Sequence, residues 1–216
     1  MGLRPLGHRT EAALIGPRVV TTLKLGFLAW AAIELLQGDW GDAAALVAMF
    51  LVLLVPRLLR LPWVFDGAFV VAWTLQALGQ VAGFWGTLSW WDTLVHAALP
   101  AVLAPTALIL LTRLRALPDP FTGDEEPGTW LAIVLMTFMV AGSFGALYEI
   151  YEWFMDSNFG THYQPSNSDT MTDITANAVG GVVGGIWLAG WSAWRAESAN
   201  SRSEPPCIDL AGSSRP

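Results

Sequence analysis

Five acidic side chains and one histidine carry the chemistry that this sequence could perform. They are Asp92 and His96 in WDTLVHAALP, Glu149 and Glu152 in YEIYEWFMD, and Asp169 and Asp173 in SNSDTMTDITANAVGG. Carboxylates paired with one imidazole can share protons, act as general acid and base, or ligate a metal ion. An oxygen-rich donor set with a single histidine suits Mg, Mn or Ca better than Zn, which takes more nitrogen or sulfur ligands. The expected metal ligands are therefore Asp92, His96, Glu149, Glu152, Asp169 and Asp173. His96, Glu149 and Glu152 are the expected catalytic groups, with Asp156, His162 and Asn177 in support. The pattern Glu-x-x-Glu is not the Glu-x-x-His of di-iron bundles, so a ferritin-like oxidase is not expected.

Helical spacing puts these groups on stripes. At about 100° per residue, Glu149 and Glu152 lie about 60° apart and Asp156 returns to within about 20° of Glu149. Asp169, Asp173 and Asn177 step by four, and so do Asp92 and His96. Capping gives an adequate account of Asp92 and Asp169, each just ahead of an apolar helix. Asp173 and Asn177 lie one and two turns further in, where capping no longer explains them. Tyr148 and Tyr151 flank the acids, as hydrogen-bond donors or interfacial anchors. Glu34, Gln37, Gln76 and Gln80 are candidates for the remaining pocket wall.

The elements that must position these residues look built for lipid. Hydrophobic residues make up 54% of the 216 positions and charged residues only 13%, and mean hydropathy is +0.47, above the soluble range. Long uncharged windows recur and match a hydrocarbon core about 30 Å thick at 1.5 Å per residue. The expected fold is an all-α polytopic transmembrane bundle with six spans near 19–37, 42–60, 64–86, 92–112, 129–155 and 171–194. Residues 1–18 form a cytoplasmic N-terminal segment, 19–194 the membrane domain, and 195–216 a disordered cytoplasmic tail. The first span needs Lys24 to snorkel towards the interface. No small-residue cleavage site follows an apolar stretch near the N-terminus, so that span is expected to stay in the mature chain. The lone cysteine, Cys207, offers neither a disulfide nor a thiolate metal site.

Charge sets the orientation. With six spans, all eleven Lys and Arg fall on one side, which the positive-inside rule makes cytoplasmic, together with both termini. Trp40, Trp85, Trp90, Trp91 and Trp153 then mark the outer interface. Glu34, Asp39, Asp42, Asp92, Glu149, Glu152, Asp156, Asp169 and Asp173 fall on the outer half, where only His96 and His162 are basic. The acids of the fifth span also sit at a helix C-terminus, where the dipole disfavours negative charge. Protonation, a water-filled cleft or a bound cation must hold them. In NAVGGVVGG, Gly180/Gly184 and Gly181/Gly185 form two overlapping small-xxx-small repeats for close helix packing, not a phosphate loop.

In order and spacing, Asp92-x-x-x-His96, Glu149-x-x-Glu152 and Asp169-x-x-x-Asp173-x-x-x-Asn177-x-x-x-Gly181 resemble the YjdF-like family of uncharacterised bacterial inner-membrane proteins. The order is also distantly similar to VanZ-like membrane proteins, some of which are linked to glycopeptide resistance. The resemblance covers roughly the C-terminal half and implies a multi-pass protein of the bacterial cytoplasmic membrane without supplying a reaction. The residues themselves suggest an outer-facing site that binds a divalent cation and acts on, or recognises, a lipid headgroup or small polar ligand, as a metal-dependent hydrolase if it is an enzyme. Two rivals use the same residues: a proton-coupled transporter, which needs polar groups continuing to the inner side, and a non-catalytic membrane partner or assembly factor whose acids are structural. A net charge of −7 with no basic stripe disfavours nucleic acid.

Overall fold

The computed structural model describes residues 8–117 and 128–203, with side chains over 15–117 and 128–195. The elements among the described residues are all helices: α1 (His8–Gln37), α2 (Trp40–Leu53), α3 (Val55–Leu58), α4 (Trp63–Gln80), α5 (Phe84–Thr87), α6 (Trp91–Arg113), α7 (Thr129–Phe159) and α8 (Asn167–Ser203). Five stretches are long and apolar enough to cross a membrane: Ile15–Gln37, Trp40–Leu58, Trp91–Arg113, Thr129–Phe159 and Asn167–Arg195. The polar residues Asp66, Gln76 and Gln80 keep α4 out of that group, yet its 18 residues give about 27 Å of rise. It also runs the depth of the bundle. At one end Phe65 stacks on Trp187 of α8 at 4.2 Å, with Trp191 edge-on at 5.0 Å; at the other Gln76 reaches the neighbourhood of His96.

Several boundaries differ from the sequence reading. The expected third span, 64–86, ends as a helix at Gln80, because Gly83 takes a left-handed conformation at φ 74° and starts the short α5. The second is broken after Leu53, just ahead of Pro56, and resumes as α3. The last helix continues to Ser203, through the first residues of the segment expected to be disordered. Residues 204–216 with Cys207, and the acids Asp119, Asp124, Glu125 and Glu126, lie outside the described residues.

Two apolar clusters hold the bundle together. The first joins α1, α2, α4 and α6 through Phe27, Leu46, Leu53, Phe69 and Val102; the second joins α4, α6, α7 and α8 through Phe65, Leu108, Ile133, Val134 and Leu188. Lys24 does not snorkel. It is buried and paired with Asp66 of α4, because a neighbouring helix offers a carboxylate at that depth and a paired charge is less costly there than a lone one. Trp91, expected at the interface, is buried too, and its indole N–H donates to the Leu75 carbonyl at 3.1 Å. Large apolar side chains such as Leu131, Met139, Leu147, Val183 and Ile186 point outward, the arrangement of helices solvated by lipid.

The two glycine repeats of α8 serve different neighbours. A Cβ on Gly180 or Gly184 would collide with the carbonyls of Ala97 and Ala101 on α6, while one on Gly181 or Gly185 would meet Ala141 and Val134 on α7 at 2.5 and 2.8 Å. Small residues thus let α8 wedge its backbone between α6 and α7. Pro105 reinforces the fit, since it lacks the N–H that would otherwise bond the Ala101 carbonyl within α6.

Candidate functional site

α6, α7 and α8 each bring acids to the same end of the bundle. On α6, Asp92 occupies the first turn and His96 the second; the N-cap is Trp90, with no side-chain cap bond, so Asp92 is not the cap that its position suggested. Its Oδ1 lies 3.6 Å from His96 Nε2. On α8 the cap is Ser166, whose Oγ accepts the Asp169 backbone N–H at 3.2 Å. Asp169, expected as the cap, is therefore inside the helix, three residues past Ser166. One turn further, Asp173 is 2% exposed, and one turn beyond that Asn177 is 3% exposed.

Asp92, His96 and Asp173 each present a ligand atom, all within 4.8 Å of one another. A single hard cation, ligated at about 2.1–2.6 Å, bridges such a set with small side-chain rotations. The second ring nitrogen, His96 Nδ1, meets the Asn177 amide at 3.3 Å and Glu149 Oε1 at 4.0 Å. The Asn177 amide sets the tautomer: its N–H facing Nδ1 places the ring proton on Nε2, towards Asp92, whereas its oxygen facing Nδ1 would place the proton on Nδ1 and leave Nε2 free to bind a cation.

Glu149 of α7 is 5% exposed and its two oxygens differ. Oε2 accepts from the Gln164 amide at 2.8 Å, and the same amide donates to the Glu149 carbonyl at 3.0 Å. Oε1 is buried without a hydrogen-bond partner, an expensive state for a carboxylate unless something approaches it. Gln164 is held in turn by Asp156, whose carboxylate accepts from Thr161 Oγ1 at 2.6 Å and from the backbone N–H groups of Tyr163 and Gln164 at 2.8 and 2.9 Å. The left-handed Gly160, at φ 69°, ends α7 and turns the chain into this loop.

Of the expected ligands, the structure brings together Asp92, His96 and Asp173, with Glu149 and Asn177 against the imidazole. Glu152 is buried at the same end, within electrostatic reach of Glu149, Asp92 and Asp173, but its ligand atoms are not part of the compact set. Asp169 is half-buried and also outside it. Asp156 clamps the loop, and His162 is exposed beside it. Tyr148 lies edge-on to His96 at 5.5 Å. Glu34 accepts from Trp30 Nε1 at 2.7 Å on its own helix, and of the other candidate wall residues only Gln76 lines the cavity beside His96. Sequence reasoning missed Gln164, Ser166 and the role of Gly145, whose bare Cα leaves room for Asn177: a Cβ there would come within 2.5 Å of Nδ2.

Two cavities flank the imidazole and Glu149. One, about 200 Å³, is walled by Val95, Leu99, Leu103 and Phe144, with Asp92, His96, Gln76 and Asn177 at its polar end. The other, about 430 Å³ and more open, is bounded by Glu149, Trp153 and the loop residues Gln164, Ser166 and Asn167. Fold and site together define a multi-span helical membrane protein with a buried carboxylate–histidine centre. The chain belongs to a family described as predicted membrane protein (DUF2238), which matches residues 16–193. No curated protein and no solved structure matches it.

Proposed function

We propose that this membrane protein binds a divalent cation between Asp92, His96 and Asp173, and through it recognises or acts on a polar headgroup. The observation that carries the reading is the unpartnered Glu149 Oε1 facing His96 Nδ1 across 4.0 Å. A cation on Nε2 would put the ring proton on Nδ1, and closing the 4.0 Å gap by about 1 Å would let the orphaned Glu149 Oε1 accept it. That is the carboxylate–histidine–metal arrangement that orients metal-binding imidazoles. The oxygen-rich set favours Mg, Mn or Ca over Zn. If the centre is catalytic, metal-assisted hydrolysis suits it, with Glu152 or Glu149 taking the proton from the activated water. No Lys or Arg lines either cavity, so an anionic group would be held by the cation.

The apolar packing favours this over a proton-coupled transporter. Beyond the site, Phe65, Leu108, Ile133, Val134 and Leu188 fill the space between α4, α6, α7 and α8. The buried hydroxyls of Thr106 and Thr137 are spent on carbonyls of their own helices. Six passes with both termini cytoplasmic remain part of the proposal, supported by the depth that α4 traverses and by the basic residues on one side. So does residence in a bacterial inner membrane, which rests on the resemblance to the YjdF-like family; no resistance role is carried over from the VanZ-like proteins.

The test is the divalent-metal content and thermal stabilisation of the purified protein beside Asp92→Asn/Asp173→Asn. Stabilisation by Mg, Mn or Ca in the parent and its loss in the variant support the reading. Equal and negligible metal in both overturns it and leaves the acids to a structural network.

A further inference from the structure

We infer that the ligand of this site is a bilayer phospholipid, one of whose acyl chains enters the 200 Å³ cavity from the side of α7. The inference rests on the cation reading above and names the class of molecule that the cation would hold. The cavity is amphiphilic in one direction. Asp92, His96 and Gln76 mark its polar end, and the wall then becomes apolar through Leu99 and Leu103. Those residues lie up to seven positions beyond His96 on α6, about 10 Å deeper. Phe144, five residues before Glu149 on the antiparallel α7, reaches a matching depth. A volume of about 200 Å³ exceeds the roughly 150 Å³ of an apolar cavity that takes up benzene, so it admits a chain segment and not only water.

The cavity also shares part of its wall with the exposed surface of α7. Phe144 and Tyr148 line it while being 40% exposed on the outer face of α7, alongside the outward-pointing Leu147 and Met139. A water-soluble ligand would have to reach this apolar slot past the acidic end, whereas a lipid already resides beside it. Charge complementarity agrees, because the phosphate of such a lipid would meet the bound cation while its chain leaves the acids behind. Trp85, whose indole N–H is buried without an acceptor, closes the cavity from the α4–α6 connection.

The experiment reconstitutes the full chain in vesicles of equimolar phosphatidylethanolamine and phosphatidylglycerol carrying a photoactivatable acyl terminus, and maps labelled residues by mass spectrometry. Label is expected on Leu99, Leu103 or Phe144 as well as on the outward Leu131 and Met139. Leu99→Trp should lower the cavity label about tenfold, equivalent to about 1.4 kcal/mol, while leaving the outward label and the metal content unchanged. If Leu99→Trp does not fold, the smaller insertion Leu103→Phe is read in its place. A lysophospholipid should compete for the cavity, and glycerophosphoethanolamine, which has no chain, should not. Label confined to the outward residues, or equal cavity label in the folded variants, overturns the inference. Cavity label in a protein that holds no metal would uphold the lipid while sinking the cation reading, so the two fail separately.

Discussion

Replacing Gly145 by alanine tests whether the site depends on one backbone approach. Gly145 and Gly142 lie one turn apart in α7. An alanine methyl at Gly142 meets nothing within 4 Å, whereas at Gly145 it would sit 2.5 Å from Asn177 Nδ2 and 2.8 and 2.9 Å from Cγ and Cβ. Three atoms of one side chain, Cβ included, cannot all swing aside without moving α8. Gly-to-Ala exchange inside a helix is by itself favourable by about 0.5–1 kcal/mol, so Gly142→Ala should be neutral or mildly stabilising. At Gly145 overpacking works against that gain by about 1–3 kcal/mol, and the Asn177–His96 contact at 3.3 Å, worth about 1 kcal/mol, is lost with it. The net expectation is destabilisation by about 1–3 kcal/mol for Gly145→Ala. Since Asn177 also fixes the imidazole, divalent-metal affinity should fall about 10–100-fold. Equilibrium unfolding in SDS–detergent mixtures, followed by metal titration of the folded fraction, reads both effects. Gly145→Ala as benign as Gly142→Ala in both assays would show that the site does not depend on this close approach of α7 to Asn177.

Three further outcomes are expected. Lys24→Met leaves the part-buried Asp66 without its partner and should destabilise by about 3 kcal/mol, with most of the loss recovered in Lys24→Met/Asp66→Leu; the same denaturant titration on both variants checks this. Gly184→Ala should weaken the bundle far more than Gly190→Ala, because the first collides with the Ala101 carbonyl and the second meets nothing within 4 Å; comparative thermal unfolding in detergent decides it. Gln164→Leu removes the donor to Glu149 Oε2 and should cost about 1.5–3 kcal/mol of local stability, read as faster amide exchange across 160–166 with the helices' exchange unchanged.

The sequence displays the helices and the acids plainly, since both depend on local pattern. Apolar windows suggested six spans, five of which coincide with helices long and apolar enough to cross a membrane, and the spacing of four in Asp92/His96 and Asp169/Asp173/Asn177 put each set on one stripe. Which acids meet was not legible, because that depends on how deeply α8 seats between α6 and α7. Its glycine repeats predicted close packing but not that Gly180/Gly184 and Gly181/Gly185 would face two different helices. That seating selects Asp173 over Asp169. The caps were misplaced because tryptophan and serine, ordinary neighbours in the sequence, cap the N-termini of α6 and α8 at Trp90 and Ser166. Lys24 looked like a snorkelling residue because its partner, Asp66, is 42 positions away. Gln164 carried no signal, since a glutamine before a proline in a polar loop is unremarkable until Asp156 folds that loop back over Glu149.

In the proposed centre, His96 ligates a divalent cation through the nitrogen facing Asp92. The most direct measurement is pulsed electron paramagnetic resonance of the purified protein loaded with Mn, beside His96→Gln and Glu149→Gln. One nitrogen coupled to the manganese is expected in the parent, no coupling in His96→Gln, and weakened binding with the coupling retained in Glu149→Gln. Bound manganese with no nitrogen coupling in the parent, or coupling that persists in His96→Gln, would contradict this ligation.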